Sequence, residues 1–440
     1  MSAIDGFVIV PKPAVHFGVG AIERLPAIVR ATGADAVVVV TDEALASTPV
    51  VAAVRAVLAD AGLPARVFSG VHPDLTADDL AAGAAAVAEA AAGAAAVVEA
   101  AAVAATLRPS APLAAPSAPA DPAGSLCAPS APSATRIALV AVGGRSPIDA
   151  AKGIAVAAVN PQRGRDLDYR GDVAVPALPI VAVPTTAGTG AETSAFGEVT
   201  DPAAHRRCYV GHVGSMPAAA ILDPALTVGL PPAATAAAGL EALTRALESY
   251  LSARPNPWSD GIALQVIRMI SASLPRACAD GTDLAARSQL LLAAHMAGVA
   301  TANAGLGLCH AIGRSLGVRR HIASGEALAM LLPEVLRFYL PVRTERMADV
   351  AFALGVGDTH ADTWLNAEAA IGALTALRDE VGLTRLTGDF GITEADFAQI
   401  AADALDDEVL ASAPRQPTGD DIGAILLAAG GGRSLTSRRP

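Results

Sequence analysis

Lysine is nearly missing from this 440-residue chain: Lys12 and Lys152 stand against 29 arginines. A coding bias toward Ala, Gly, Pro and Arg accounts for the imbalance, and it gives weight to a lysine kept inside a motif. Aromatic residues make up only 3% while apolar residues reach 52%. The apolar share therefore rests on Ala, Val and Leu, which excludes an aromatic-rich sandwich or a stacking surface for nucleic acid. No basic block occurs and the net charge is −12, so a polyanion is a poor partner. Four cysteines (Cys127, Cys208, Cys278, Cys309) are scattered without a CxxC pair. That usage fits a reducing cytoplasm and thiols employed as small apolar residues. The start, MSAIDGFVIVPKP, lacks a basic region followed by an apolar one, so no signal peptide is expected. The longest weakly charged run, 81–105, is alanine-rich and too weakly apolar to span a bilayer. The expectation is a cytoplasmic protein with neither nucleic acid nor membrane as partner.

The length suits two domains. In the first half, AVVVVTD (36–42), ARVFSGV (65–71), RIALVAVGG (136–144) and LPIVAVPTT (178–186) read as strands, separated by helical stretches such as 43–62 and 147–159. Continuous apolar strands alternating with helices predict a parallel, doubly wound sheet. From 233 onward apolar residues recur at helical spacing and strand signals nearly vanish. The fold class expected is α/β: a nucleotide-binding domain over 1–200, then an all-helical domain over 201–440. A segment over about 81–135 looks inserted. It opens with a tandem ten-residue repeat, AAGAAAVAEA and AAGAAAVVEA, and continues as a Pro/Ala/Ser-rich linker at 108–135.

Three loops follow strands. Gly143-Gly144-Arg145-Ser146-Pro147-Ile148-Asp149 opens a helix. Its glycines let the backbone approach a pyrophosphate, and the helix N-terminus offers free N–H donors. Ser146 either caps the helix or donates to a phosphate. Thr185-Thr186-Ala187-Gly188-Thr189-Gly190 forms a second loop able to close over a nucleotide. Asp42 ends the first long strand. It either takes ribose hydroxyls and repels a 2′-phosphate, favouring NAD over NADP, or caps the next helix.

These stretches, with TAAAGLEALTRALESYLS and NAGLGLCHAIGRSLG in the same order, resemble the iron-containing alcohol dehydrogenase family over nearly the whole chain. The resemblance implies a nicotinamide cofactor bound through Asp42, Gly143, Gly144, Ser146, Asp149, Thr185, Thr186 and Thr189. Arg207 stands for a cofactor-side lysine. It also implies a homodimer, and a metal in the interdomain cleft.

The sequence departs from the family there. Where the family places an Asp and a His one helical turn apart on a shared ion, this chain has Glu241 and Arg245. The third ligand position keeps His310, and the fourth is Ser324. A further cleft histidine is Arg314, and the third glycine of the phosphate loop is Arg145. Arginine has no free lone pair and cannot ligate. Two ligands, Glu241 and His310, are too few for iron or zinc held tightly, so the site is read as vestigial and metal as absent. Fe or Zn would be the ion if one bound. His295, His321 and Glu326 are the candidates for a rebuilt site. The implied activity is NAD(P)-dependent interconversion of an aldehyde or ketone with an alcohol. The substrate is expected to be a small anion held by Arg245, Arg314 and His310, with Glu241 in the ion pair; the maleylacetate reductase branch is similar in working without metal. Arg145 either contacts a phosphate or blocks the pyrophosphate. The alternative is recruitment to non-redox catalysis, lyase- or cyclase-like, or to plain binding.

Overall fold

The computed structural model describes residue 9 and residues 13–106, 136–161, 173–202 and 206–432, without the side chains of 95–106 and 206. The expected linker at 108–135, Lys12, Cys127 and His205 lie outside the described residues.

Six strands form one parallel sheet: β1 (Ala14–Phe17), β2 (Ala36–Asp42), β3 (Ala65–Val71), β4 (Ile137–Gly143), β5 (Ile180–Pro184) and β8 (Ala219–Leu222). Their order is β1-β8-β5-β4-β2-β3, and each paired neighbour is parallel. Between β5 and β8 the chain makes an antiparallel hairpin, β6 (Phe196–Asp201) with β7 (Arg206–Gly211). Strand alternation divides the apolar runs between two cores. Val37 and Val39 of β2 face one side with Val140 and Val181, under helices α1 (Leu25–Ala31) and α3 (Pro49–Asp60). Val38 and Val40 face the other with Leu139 and Ile180, under α4 (Ala77–Thr106) and α5 (Arg145–Ala157). The expected helix over 43–62 is interrupted: the short α2 (Glu43–Ala46) ends before Thr48, and α3 begins at Pro49, whose ring has no N–H to continue a helix.

Two expected boundaries move. The N-terminal domain does not end at 200, because β8 sits between β1 and β5 inside the sheet. Its four residues, AAIL, carry too few β-branched side chains to announce a strand. Nor does the insertion begin at 81. Leu80 and Val87 are buried against β4 and Ile154, and Gly83 lets α4 approach so closely that a Cβ there would lie 2.2 Å from Ile154 Cδ1. The first half of α4 is therefore a structural layer of the domain.

The second domain packs α6 (Pro232–Leu251), α7 (Pro257–Ala279), α8 (Leu284–Ala304), α9 (Leu308–Arg320), α10 (Ser324–Ala353), α11 (Thr363–Glu380), α12 (Glu394–Leu405) and α13 (Gly419–Ala429) around one apolar core. Among the described residues no single helix is long and apolar enough to cross a membrane.

Candidate active site at the domain junction

In an open parallel sheet the crevice lies outside the carboxyl ends of the strands. Strands β5, β4 and β2 are adjacent, so Thr185, Gly143 and Asp42 end side by side. Gly143 has φ +148, and a Cβ there would lie 2.6 Å from Pro147 Cγ. Gly144 precedes α5 without a side-chain cap, leaving the helix's first N–H groups open. A Cβ on Gly144 would stand 3.2 Å from Thr186 Oγ1, so the loops after β4 and β5 face each other closely. Thr189 Oγ1 accepts from Ala191 N (3.2 Å). Gly190, at φ +61, presses the second loop onto α8, where a Cβ would lie 2.6 Å from Ala294 O.

Three residues expected at the cofactor are engaged elsewhere. Asp42 Oδ1 accepts from Leu45 N (2.7 Å), capping α2. Ser146 does not cap α5; its Oγ donates to Pro73 O (3.1 Å). Asp149 accepts from Lys152 Nζ (2.9 Å) through Oδ1 and from Glu198 N (3.1 Å) through Oδ2. Lys152 is fully buried and also donates to Ala191 O, Ser194 Oγ and Phe196 O. A buried ammonium persists only when paired and hydrogen-bonded, and Lys152 ties α5 to both the second loop and the hairpin. Its role is structural.

Beyond this cradle, long charged side chains from α5, the hairpin, α6, α9 and the 407 loop converge. Glu241 and Arg245, one turn apart on α6, form the expected ion pair, Arg245 Nη2 to Glu241 Oε1 at 3.4 Å. Arg145 reaches two carboxylates: its Nη1 lies 3.6 Å from Glu241 Oε1 and 3.9 Å from Glu198 Oε2. Arg207 on β7 reaches Glu198 Oε2 at 3.4 Å. Arg314 on α9 is saturated. Its Nη1 donates to both oxygens of Asp407 (3.0 and 3.1 Å), its Nη2 donates to Glu198 Oε1, and its guanidinium lies over the Tyr209 ring at 5.4 Å. Arg314, expected at the substrate, lines the interdomain cavity, but its Nη1 and Nη2 already hold Asp407 and Glu198.

His310 is 3% exposed. Its Nδ1 lies 2.5 Å from Glu248 Oε2, and Nε2 has no hydrogen-bond partner. Glu248 also accepts from Gly307 N (3.0 Å) and Cys309 N (2.7 Å) at the start of α9. Ser324, the first residue of α10, hydrogen-bonds Glu241.

Burial alone would raise the Glu198 carboxyl, but Arg314, then Arg145 and Arg207, hold it well below the ordinary range. Glu241 behaves alike: burial is outweighed by Arg145, Arg245, His310 and Ser324. Burial and the repulsion of Arg145 lower Arg207. Burial pushes the Tyr209 hydroxyl up to about 12.

The histidines considered for a rebuilt metal site lie apart. His295 Nδ1 pairs with buried Glu192 (3.0 Å), and His321 Nδ1 with Asp74 at the surface (3.0 Å). Glu326 faces Arg385 (3.5 Å). Among the described residues no three of His, Cys, Asp and Glu converge.

The family description "Iron-containing alcohol dehydrogenase" matches residues 12–107 and 131–224, and "Fe-containing alcohol dehydrogenase family, C-terminal" matches 235–430. The chain belongs to the iron-containing alcohol dehydrogenase family. It is an oxidoreductase of alcohols and aldehydes. The probable alcohol dehydrogenase EutG of Escherichia coli (strain K12) is 40% identical over 291 residues, 66% of this chain and 72% of that protein. The long-chain-alcohol dehydrogenase 1 of Geobacillus thermodenitrificans (strain NG80-2) is 33% identical over 96% of each chain. A crystal structure of 1,3-propanediol oxidoreductase superposes with a TM-score of 0.81 at 30% identity, over 97% of this chain and 100% of that one. The unmatched stretch between 107 and 131 narrows the extra segment to less than half of the span expected.

Sequence reasoning missed Glu198, Glu248 and Asp407. Glu248 carried a signal, since it lies two turns from Glu241 on the same helix. Glu198 and Asp407 carried none: they come from a hairpin and a loop 116 and 93 residues from Arg314.

Proposed function

We propose that this enzyme interconverts a small anionic aldehyde or ketone with its alcohol, using NAD and no resident metal. One observation carries the reading: the Arg245 guanidinium lies 3.4 Å from Glu241 Oε1, in the position where the family resemblance puts a shared ion. The donor set does not fit a divalent cation. Of the four ligand positions only Glu241 and His310 carry suitable donors; two guanidiniums already approach Glu241 Oε1, and His310 Nδ1 is taken by Glu248. A cation placed there would face their full repulsion in a buried setting.

The residues do fit a nicotinamide dinucleotide. The Gly143-Gly144 turn and the open N-terminus of α5 suit a pyrophosphate, with Thr185, Thr186 and Thr189 on the facing loop. Asp42 keeps a negative charge at the adjacent strand end, which favours NAD over the 2′-phosphate of NADP. When bound, the nicotinamide supplies hydride. The protein's own residues shape the rest: Arg245 lines the cleft, where its positive charge stabilises an oxygen gaining electron density, and His310 is buried nearby. Glu248 holds the imidazole in orientation. Arg314 leaves this group and becomes a strut between α9, the hairpin and the 407 loop.

Fluorescence titration with NADH tests the reading. Saturation at micromolar cofactor is expected, and no binding at millimolar NADH would favour a non-redox or purely binding role. Elemental analysis of protein prepared without chelator tests the metal clause, which stoichiometric iron or zinc would overturn.

A further inference from the structure

Tyr209 lines the interdomain cavity of about 300 Å³, together with Arg245 and with Thr189 and Gly190 of the second loop. The hairpin puts it there. Strand alternation sends Val199, Cys208 and Val210 into the apolar core under α5 and leaves Glu198, Arg207 and Tyr209 on the opposite face. Tyr209 stands directly across the ladder from Glu198. The Arg314 guanidinium lies over its ring at 5.4 Å and also hydrogen-bonds its hydroxyl oxygen.

Reducing a carbonyl needs a proton for the oxygen as well as a hydride for the carbon. Seven ionisable side chains line the cavity: Arg145, Asp149, Glu198, Tyr209, Arg245, Arg314 and Glu408. The three arginines do not give up a proton. Glu198 is held ionised by its arginines. Asp149 is occupied by Lys152 Nζ and Glu198 N. Glu408 is exposed to solvent, where a carboxyl has no proton to give at neutral pH. The aliphatic hydroxyls of Thr189, Thr193, Ser194 and Thr301 in the same wall are far weaker acids than a phenol. His310 lines a neighbouring cavity of about 10 Å³, which is too small for a substrate. Tyr209 is the group left with a transferable proton, and burial keeps that proton on its oxygen at neutral pH.

We propose that Tyr209 is a catalytic residue whose hydroxyl protonates the substrate oxygen during carbonyl reduction and takes the proton back during alcohol oxidation. The inference rests on the redox reading above. As the carbonyl carbon accepts hydride from bound NADH, the π electron pair of the C=O bond moves onto oxygen. That oxygen forms a bond to the Tyr209 proton, and the electrons of the broken O–H bond stay on the phenolate. Arg314, already hydrogen-bonded to the phenol oxygen, then stabilises the phenolate. Water entering from solvent returns a proton to it, so the sum is aldehyde, NADH and one proton giving alcohol and NAD. An alkoxide is a stronger base than a phenolate, so the transfer runs downhill in the direction of reduction. Arg314 thereby acts through Tyr209 as a positioning residue.

The test is steady-state reduction of butanal and of succinic semialdehyde with NADH by the intact enzyme and by Tyr209→Phe, which keeps the ring against Arg314 and removes only the hydroxyl. With the faster of the two substrates, kcat is expected to fall at least 100-fold, the scale of a lost general acid. KM, NADH affinity by fluorescence and the melting temperature are expected to stay near wild type. Oxidation of the matching alcohol is expected to slow by a similar factor. Tyr209→His, which puts back a transferable proton, is expected to stand between the two. A Tyr209→Phe kcat within about 3-fold of wild type overturns the assignment and makes solvent the donor. An equal loss in kcat, NADH affinity and melting temperature also overturns it and makes Tyr209 a packing residue. Wild type inert toward both aldehydes removes the redox reading itself, a result distinct from active wild type with an active Tyr209→Phe.

Discussion

The glycine loops proposed to cradle the nucleotide and the charged junction are built in different ways. The cradle is backbone: two glycines, a helix N-terminus and small hydroxyl residues at the ends of adjacent strands. Local sequence specifies each part, because a positive φ or an approach too close for a Cβ demands glycine. The junction is side chain: four arginines and three carboxylates from α5, the hairpin, α6, α9 and the 407 loop. There each partner is chosen by packing, and a motif names the residue without naming what it touches. A backbone site tolerates drift in side chains, whereas a charge network changes meaning with a single replacement.

The largest effect should come from the cradle. Gly143→Ala puts a Cβ at φ +148 and 2.6 Å from a proline ring atom, which cannot swing aside. NADH affinity is expected to fall more than 100-fold by fluorescence titration, with the fold retained by circular dichroism. Affinity near wild type would show that the cradle is not backbone-defined.

Next comes the strut. Arg314→Ala leaves Glu198 and Asp407 facing each other without their shared partner, and breaking a buried pair costs about 3–5 kcal/mol. Urea unfolding should show a loss of that order. Reduction of neutral and carboxylated aldehydes should decline by a similar factor. A loss confined to the carboxylated substrate would return Arg314 to the substrate site.

The smallest effect is on pH dependence. Glu198 is held well below the ordinary carboxylate range. Its contribution is therefore complete above the unfolded value of about 4.3 and is lost as pH falls through the lower folded value. The urea midpoint of wild type should stay level from pH 7 to about pH 5 and drop steeply below pH 4. Glu198→Gln should start lower at pH 7 and fall less steeply in acid; an unchanged acid slope would remove Glu198 from the network's charge balance.

Much of this was legible beforehand. The four long strands, the helical second half, the glycine turn and the Glu241–Arg245 pair follow from periodicity and i, i+4 spacing, which are local rules. β8 was not, because four residues of Ala, Ile and Leu are strand-forming only where a parallel sheet has room for them. Lys152 was half legible: its place in a motif marked it, but only the fold showed an ammonium with four oxygen partners. The partners of Arg145 were not legible for a related reason. A residue after two glycines suggests phosphate, yet its side chain is long enough to cross into the other domain.

By itself the sequence determined the family, the sheet's main strands, the glycine turn and the presence of arginines where the resembled family has a glycine and two histidines. Tertiary structure alone decided which carboxylates those arginines meet. Arg314 is neutralised by carboxylates brought from 93 and 116 residues away, while Arg145 and Arg245 share the single Oε1 of Glu241. Spacing along a chain fixes neighbours within a helix or strand; charge balance in a buried cleft depends on every element that closes it.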